Sequence, residues 1–188
     1  MTMTTTHSRP AVVSPRVPES TLARYPAATR APQPHTAAEL DRLIRMLRAS
    51  RAETIAIGHG RYTASAGAAD ALAAAWAVGA GQVVAVVDWP AAAASWLRPA
   101  QRLADSQPDA WILADTPAGC AQLASRLTGQ PGWTPGRTFG FASVATPDLL
   151  ALTPPGALAG MTGATAAGGS WRIGQSLLLV NDDPEGAG

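Results

Sequence analysis

The sequence predicts an α/β domain, a three-layer, doubly wound, mainly parallel sheet with helices on both faces. Short apolar runs rich in β-branched residues alternate with segments of helical period, and each run ends at a polar or glycine-bearing turn. Alternation at this spacing implies right-handed crossovers between parallel strands. With 188 residues, 47% of them hydrophobic, the chain can bury one core of ordinary size and leave a tail over.

The tail comes first. Residues 1–35 contain six prolines and four arginines (Arg9, Arg16, Arg24, Arg30) against one acid, Glu19, a net +3, and are expected to be disordered or extended. This stretch has no compact apolar core of a secretory signal, no cysteine for lipid attachment and no paired arginines ahead of an apolar run. As written, the chain is therefore expected to be cytoplasmic. Residues 36–180 are expected to form a single domain, and residues 181–188 a flexible C-terminal tail.

Thr36 and Glu39 stand as a capping box ahead of Leu40, Leu43, Ile44 and Leu47, whose spacing is helical. Residues 54–57 read as a buried strand. A loop is expected to open at Gly58, with Ser65 capping a helix over 66–78 that the glycines at 79 and 81 terminate. The run 82–88, QVVAVVD, has the pattern of a strand buried on both faces. Residues 92–104 read as helix, with Pro99 arguing for a kink or an early break. A third strand over 110–114 precedes a helix over 119–127. A fourth strand over 137–142 leads to a short helix started by Pro147 and Asp148. Residues 171–180 form the expected last strand.

Several function classes fall away. The net charge of +1 argues against a generally basic nucleic-acid-binding surface, and no apolar run approaches the roughly 18 residues that span a membrane. Every one of the 14 basic residues is arginine, a compositional bias that says little about mechanism. The single cysteine, Cys120, excludes an internal disulfide, and His7, His35 and His59 lack metal-ligand spacing, so neither metal nor cofactor is expected. Phosphate-loop, dinucleotide, nucleophile-elbow and H-E-x-x-H motifs are missing. His59, Asp115 and Cys120 are the only nucleophile or base candidates near strand ends, and no enzyme is expected.

In open parallel sheets ligands collect beyond the carboxyl ends of the strands. That edge comprises residues 59–63, Asp88 with Trp89, and residues 115–117. Each candidate has a structural alternative: Tyr62 covering the sheet edge, Asp115 capping the helix that starts near Ala118, His59 a solvent-facing turn residue. The six tryptophans lie mostly in apolar segments and read as packing, with Trp89 the exception.

The succession YPAATRA, TIAIGHGRYTASAGAADALAAAW, VVAVVDW, PDAWILADTPAGCAQLASRL, TFGFASVATPDLLAL and ALAGMTGATA resembles the second lobe of type I periplasmic binding proteins, the branched-chain amino-acid and amide receptors of ABC transporters. The similarity covers residues 25–166. It implies ligand contacts at Tyr62, at Asp115 with Thr116, and at Ala142 with Ser143. Amino-acid-binding members often place an acid at the third point, which Ala142 and Ser143 cannot supply. The first lobe has no counterpart either.

These readings lead to a ligand-binding module for a small solute, with His59, Tyr62, Thr63, Trp89, Asp115, Thr116 and Ser143 as its site. A lone lobe offers one wall, whereas a small ligand is normally 70–90% buried. A second copy in a homodimer, or a partner lobe, is therefore expected to cover the face, and the membrane subunits of an ABC transporter are further implied partners. The location would be extracytoplasmic were the chain a fragment of a longer receptor. The alternative is a non-catalytic interaction protein using the basic N-terminal segment as a contact arm.

Overall fold

Among the described residues seven strands form one sheet: β1 (Thr54–Gly60), β2 (Gln82–Trp89), β3 (Ala110–Ala114), β4 (Thr138–Gly140), β5 (Thr162–Ala164), β6 (Ser170–Ile173) and β7 (Leu178–Asn181). Their order is β2-β1-β3-β4-β5-β6-β7, parallel from β2 to β5 and antiparallel over the last two pairings. The structure is a computed structural model and describes residues 17–93 and 95–182. Among the described residues six helices accompany the strands: α1 (Glu19–Leu22), α2 (Ala37–Ala49), α3 (Thr63–Val78), α4 (Leu97–Asp105), α5 (Pro117–Leu127) and α6 (Pro147–Leu152). The expected three-layer, doubly wound α/β fold is the fold observed.

Strand alternation divides the core in two. Ile55, Ile57, Ala110 and Ile112 pack with Leu43 and Leu47 of α2 and with Ala68, Leu72 and Trp76 of α3. Ala56, Trp111 and Leu113 point the other way, toward Leu103 of α4, Leu123 and Leu127 of α5 and Leu149 of α6. All five residues of β3 are buried, as its position inside the sheet requires. All six tryptophans are buried.

The helix starts follow local chemistry. Thr36 Oγ1 accepts from Glu39 N at 3.1 Å while Glu39 Oε2 accepts from Thr36 N at 3.3 Å, so the capping box forms. Thr116 and Thr146 cap α5 and α6, each with proline at the first helical position. Pro99 sits in the first turn of α4, where its missing N–H leaves no bond unmade. The helix therefore starts at Leu97, later than residue 92, and runs on unbroken.

Other expectations are corrected. The strand over 82–88 is not buried on both faces: β2 lies at the sheet edge, and Val86 is 46% exposed. Gly58 and His59 do not open a loop, because β1 continues to Gly60, paired with β2 and β3 as far as His59. Gly58 is a packing requirement, since a Cβ there would stand 2.9 Å from the Trp89 ring. Ser65 does not cap: α3 starts at Thr63, and its N-cap, Tyr62, makes no side-chain cap bond. The left-handed residue that ends α3 is Ala80 (φ 63°), while Gly81 leaves room for the Trp76 indole. The fourth strand is shorter than 137–142, giving way to a 3-10 turn at Ala142–Val144. Residues 171–180 hold two antiparallel strands, β6 and β7, in place of one.

The largest correction concerns the N-terminal segment. Residues 1–16 lie outside the described residues, but residues 17–35 are not a loose linker. They form α1 and a 3-10 turn at Pro26–Thr29, and Val17, Leu22, Tyr25 and the fully buried Ala28 pack on the α5 side of the core. Gln122 on α5 holds the start of this arm, accepting from Val17 N at 3.0 Å and donating to Val17 O at 3.4 Å. At the other end Thr36 Oγ1 donates to Ala166 O at 2.6 Å. At the C-terminus, Asn181 belongs to β7, and residues 183–188 of the expected tail lie outside the described residues.

Candidate functional site

The strand order reverses between β1 and β3, and the carboxyl ends of these two strands and of β4 face one opening. β1 delivers Tyr62 and the start of α3, β3 delivers Ala114 and the start of α5, and β4 delivers Phe141, Ala142 and Ser143. Across from them runs the arm, residues 27–35. Together they line an open-mouthed cavity of about 320 Å³. Its walls are largely apolar, from Ala64, Ala68, Ala114, Pro117, Phe141 and Pro32, and its polar groups are Arg30, Gln33, His35, Glu39, Ser65, Ser143 and Thr146.

Glu39 is 3% exposed at this cavity, and each of its oxygens is already bonded. Oε1 accepts from Ala142 N at 2.5 Å and Oε2 from Thr36 N. Burial raises its carboxyl above the usual range, opposed by these two N–H groups and by His35. The His35 ring meets Phe141 edge-on, with centroids 6.1 Å apart. Ser65 is 2% exposed, and its Oγ has no hydrogen-bond partner.

Of the seven expected site residues, Ser143 lines the cavity. Tyr62 stands beside it, its hydroxyl donating to Thr29 O of the arm at 3.5 Å. Thr63, the first residue of α3, is exposed, and half-buried His59 places Nδ1 2.9 Å from Gly60 O. Trp89, Asp115 and Thr116 are 1%, 1% and 3% exposed and face one another beneath the site. Asp115 Oδ2 accepts from Trp89 Nε1 at 2.6 Å, and Oδ1 from Thr116 N at 2.7 Å. The helix cap is made by Thr116, whose Oγ1 accepts from Gly119 N at 3.0 Å. Burial lifts the Asp115 carboxyl to about 6, against the pull of Trp89, Thr116 and His59. Beside them Arg61 pairs with Asp88 and holds its carboxyl below the usual range.

Cys120 is fully buried, and burial pushes its thiol up, away from the reactive thiolate. Among the described residues no group of three or more His, Cys, Asp or Glu is placed to hold a metal, and no helix is long and apolar enough to cross a membrane.

The sequence reading missed the arm, Glu39 and Ser65 as cavity walls. Thr36 and Glu39 were legible as a capping box, and the two prolines of APQPH marked an extended strap, but nothing local says that the strap crosses the strand ends.

A substrate-binding periplasmic protein from Ralstonia solanacearum matches 71% of this chain at a TM-score of 0.62 and 17% identity. The fold is that of one lobe of a periplasmic binding protein. An extracellular ligand-binding receptor from Rhodopseudomonas palustris matches 71% of the chain at a TM-score of 0.61 and 14% identity. A branched-chain amino acid ABC transporter periplasmic ligand-binding protein from Burkholderia xenovorans matches 68% at 0.57 and 14%. The lobe spans about a third of the length of these proteins, 37%, 36% and 34% respectively. No family model matches the sequence, and no curated protein does.

Proposed function

We propose that this chain is a ligand-binding module that takes a small solute at the carboxyl ends of its parallel strands, in the cavity walled on one side by its own residues 27–35. The observation that carries the reading is that cavity, whose volume of about 320 Å³ falls within the range of small-molecule sites and which has walls on both sides. The arm supplies the wall that a lone lobe would lack. The cavity keeps an open mouth, which a second copy or a partner lobe would cover, and the packing of residues 17–35 weighs against a free basic contact arm. The names of the structurally similar proteins, binding proteins and receptors of ABC transporters, favour binding over catalysis. They also favour an extracytoplasmic setting and transporter membrane subunits as partners. The site would be Ser143 with Arg30, His35, Glu39 and Ser65, and with Tyr62 holding the arm.

A thermal-shift screen of small organic solutes against the full chain and its Ser143→Trp variant tests this. Ser143 is half-buried at the cavity, so an indole there would fill it without entering the core. A solute that raises the Tm of the parent and not of the variant supports the proposal; equal shifts in both would place binding elsewhere.

A further inference from the structure

β7 is the outer strand at one end of the sheet, paired with β6 on its inner side. Three of the six large hydrophobic side chains that stand exposed among the described residues gather there, Leu177, Leu179 and Val180, at 66%, 58% and 54% exposure. Together they present on the order of 300 Å² of apolar surface, the size of the largest such patch on a typical monomer. Edge strands are commonly blunted by a charge, a proline or a bulge. Residues 177–181, LLLVN, contain no charge and no proline, and the pairing with β6 runs without a bulge. The backbone of this edge has a two-fold pattern. Gly174 N donates to Leu177 O at 2.8 Å, and from that pair bonded and non-bonded pairs alternate: Arg172 with Leu179 and Ser170 with Asn181 exchange the ladder bonds. Ile173, opposite Leu178, accordingly bonds on its other side, to Met161 O and from Gly160 N. Leu178 and Val180 therefore turn their N–H and C=O groups outward, one on each side of Leu179.

We infer that β7 is a docking edge for a second copy of this chain, whose own β7 adds antiparallel about a two-fold axis through Leu179. The outward-facing residues flank Leu179 symmetrically, so each Leu178 meets the second copy's Val180 and exchanges N–H···O bonds with it. Leu179 then stands opposite the second copy's Leu179 as a non-hydrogen-bonded pair, whose Cα atoms approach to about 4.5 Å, with Leu177 on the diagonal. No like charges meet: Arg172 is in register with Leu179 but lies on the β6 side, one strand further from the axis. Pairing of β7 with the β2 edge of another copy would instead be heterologous and would extend without closing. The exposed apolar area falls short of the roughly 800 Å² per partner of a standard stable interface, which makes this a weak dimer. Residues 177–181 do not line the cavity at the strand ends, so the contact is separate from the proposed ligand site.

Analytical ultracentrifugation of the full chain from about 1 to about 500 µM, a range that spans weak interfaces, tests this. The mass should rise from one chain toward two and stop there. Leu179→Arg sets like charges against each other at the axis and should weaken dimerisation about tenfold or more. Its Tm should match the parent's, because Leu179 is exposed in the single chain. Val86→Arg, on the β2 edge, should dimerise like the parent. Oxidation with diamide reads the register: Leu179→Cys brings two thiols within disulfide reach across the axis, while Cys120 is fully buried. Leu179→Cys should form a linked dimer about tenfold faster than Leu177→Cys, which faces the second copy's Asn181 instead. A parent that stays a single chain at about 500 µM, or a mass that climbs beyond two chains, overturns the inference. So does a dimer that Leu179→Arg leaves intact or Val86→Arg abolishes, or equal cross-linking from the two cysteine variants. Any of these outcomes leaves the ligand-binding proposal standing.

Discussion

The indole Nε1 of Trp89 donates to Asp115 Oδ2 at 2.6 Å, joining the end of the edge strand β2 to the end of the interior strand β3. The bond spans β1, at the place where β1 ends in Gly60. A Cβ at Gly60 would stand 2.1 Å from Asp115 Oδ1, and one at Gly119 1.9 Å from Oδ2. The carboxylate thus occupies space that two glycines leave free, and it acts as a keystone beneath the site.

Gly119→Ala should therefore destabilise the fold by about 1–3 kcal/mol, the usual range for overpacking. Adding Asp115→Ala should make the second cost non-additive, because the methyl then has the space of the lost carboxylate. Urea denaturation of the two single variants and the double measures the coupling. Simple additivity would show that the glycine is not there to admit Asp115.

Asp115 also makes stability fall as pH rises. Its folded pKa, about 6, stands above the ordinary 3.8, so below about 3.8 the group is protonated in both states and costs nothing. Between those values the folded state holds the proton more tightly, and above about 6 the folded protein carries a buried charge costing about 3 kcal/mol. Glu39, raised in the same direction, adds a slope of the same sign. Denaturation from pH 4.5 to 7.5 should show this decline in the parent and a shallower one in Asp115→Asn. Equal slopes would contradict it.

Gln122 anchors the arm through two bonds to Val17. Gln122→Leu should cost about 1–2 kcal/mol and speed amide exchange over residues 17–30 while leaving β1 and β3 protected. Exchange accelerating evenly through the sheet would mean that the arm is not a separable unit.

Thr36 serves both α2 and the cavity, since its N–H helps hold Glu39 and its hydroxyl reaches Ala166 O. Thr36→Ala should cost about 1–2 kcal/mol through the lost cap and the lost Ala166 bond. Thr36→Ser should recover most of it in the same denaturation measurement. Failure of serine to rescue would point to the methyl group instead of the hydroxyl.

The strands and most helices were legible because each carries its own signal: AWILA is uniformly apolar, and Thr36, Thr116 and Thr146 stand where caps belong. Exposure was not legible for QVVAVVD, which differs little from AWILA in apolarity. One is an edge and the other interior because of strand order, which the run itself does not encode. The hairpin left a faint signal in GQS, residues 174–176, between two apolar stretches. The arm was invisible because its few apolar anchors, Val17, Leu22 and Tyr25, are scattered among prolines and bury themselves against distant residues. At the site, Asp115 and Trp89 were found as neighbours in the right region, yet they satisfy each other beneath the cavity and do not line it. Ser65 has the identity of a helix cap, yet it lies inside α3 and its Oγ makes no hydrogen bond.

In the proposed function the chain's own residues 27–35 form one wall of the ligand site. Hydrogen–deuterium exchange of the full chain with and without a solute selected by the Ser143→Trp screen tests it most directly. The solute should slow exchange at Ala31, Gln33 and His35 in the arm and at Ala64 and Ser65 across the cavity. Protection confined to the β6–β7 hairpin, or an arm that exchanges equally fast with and without solute, would contradict it.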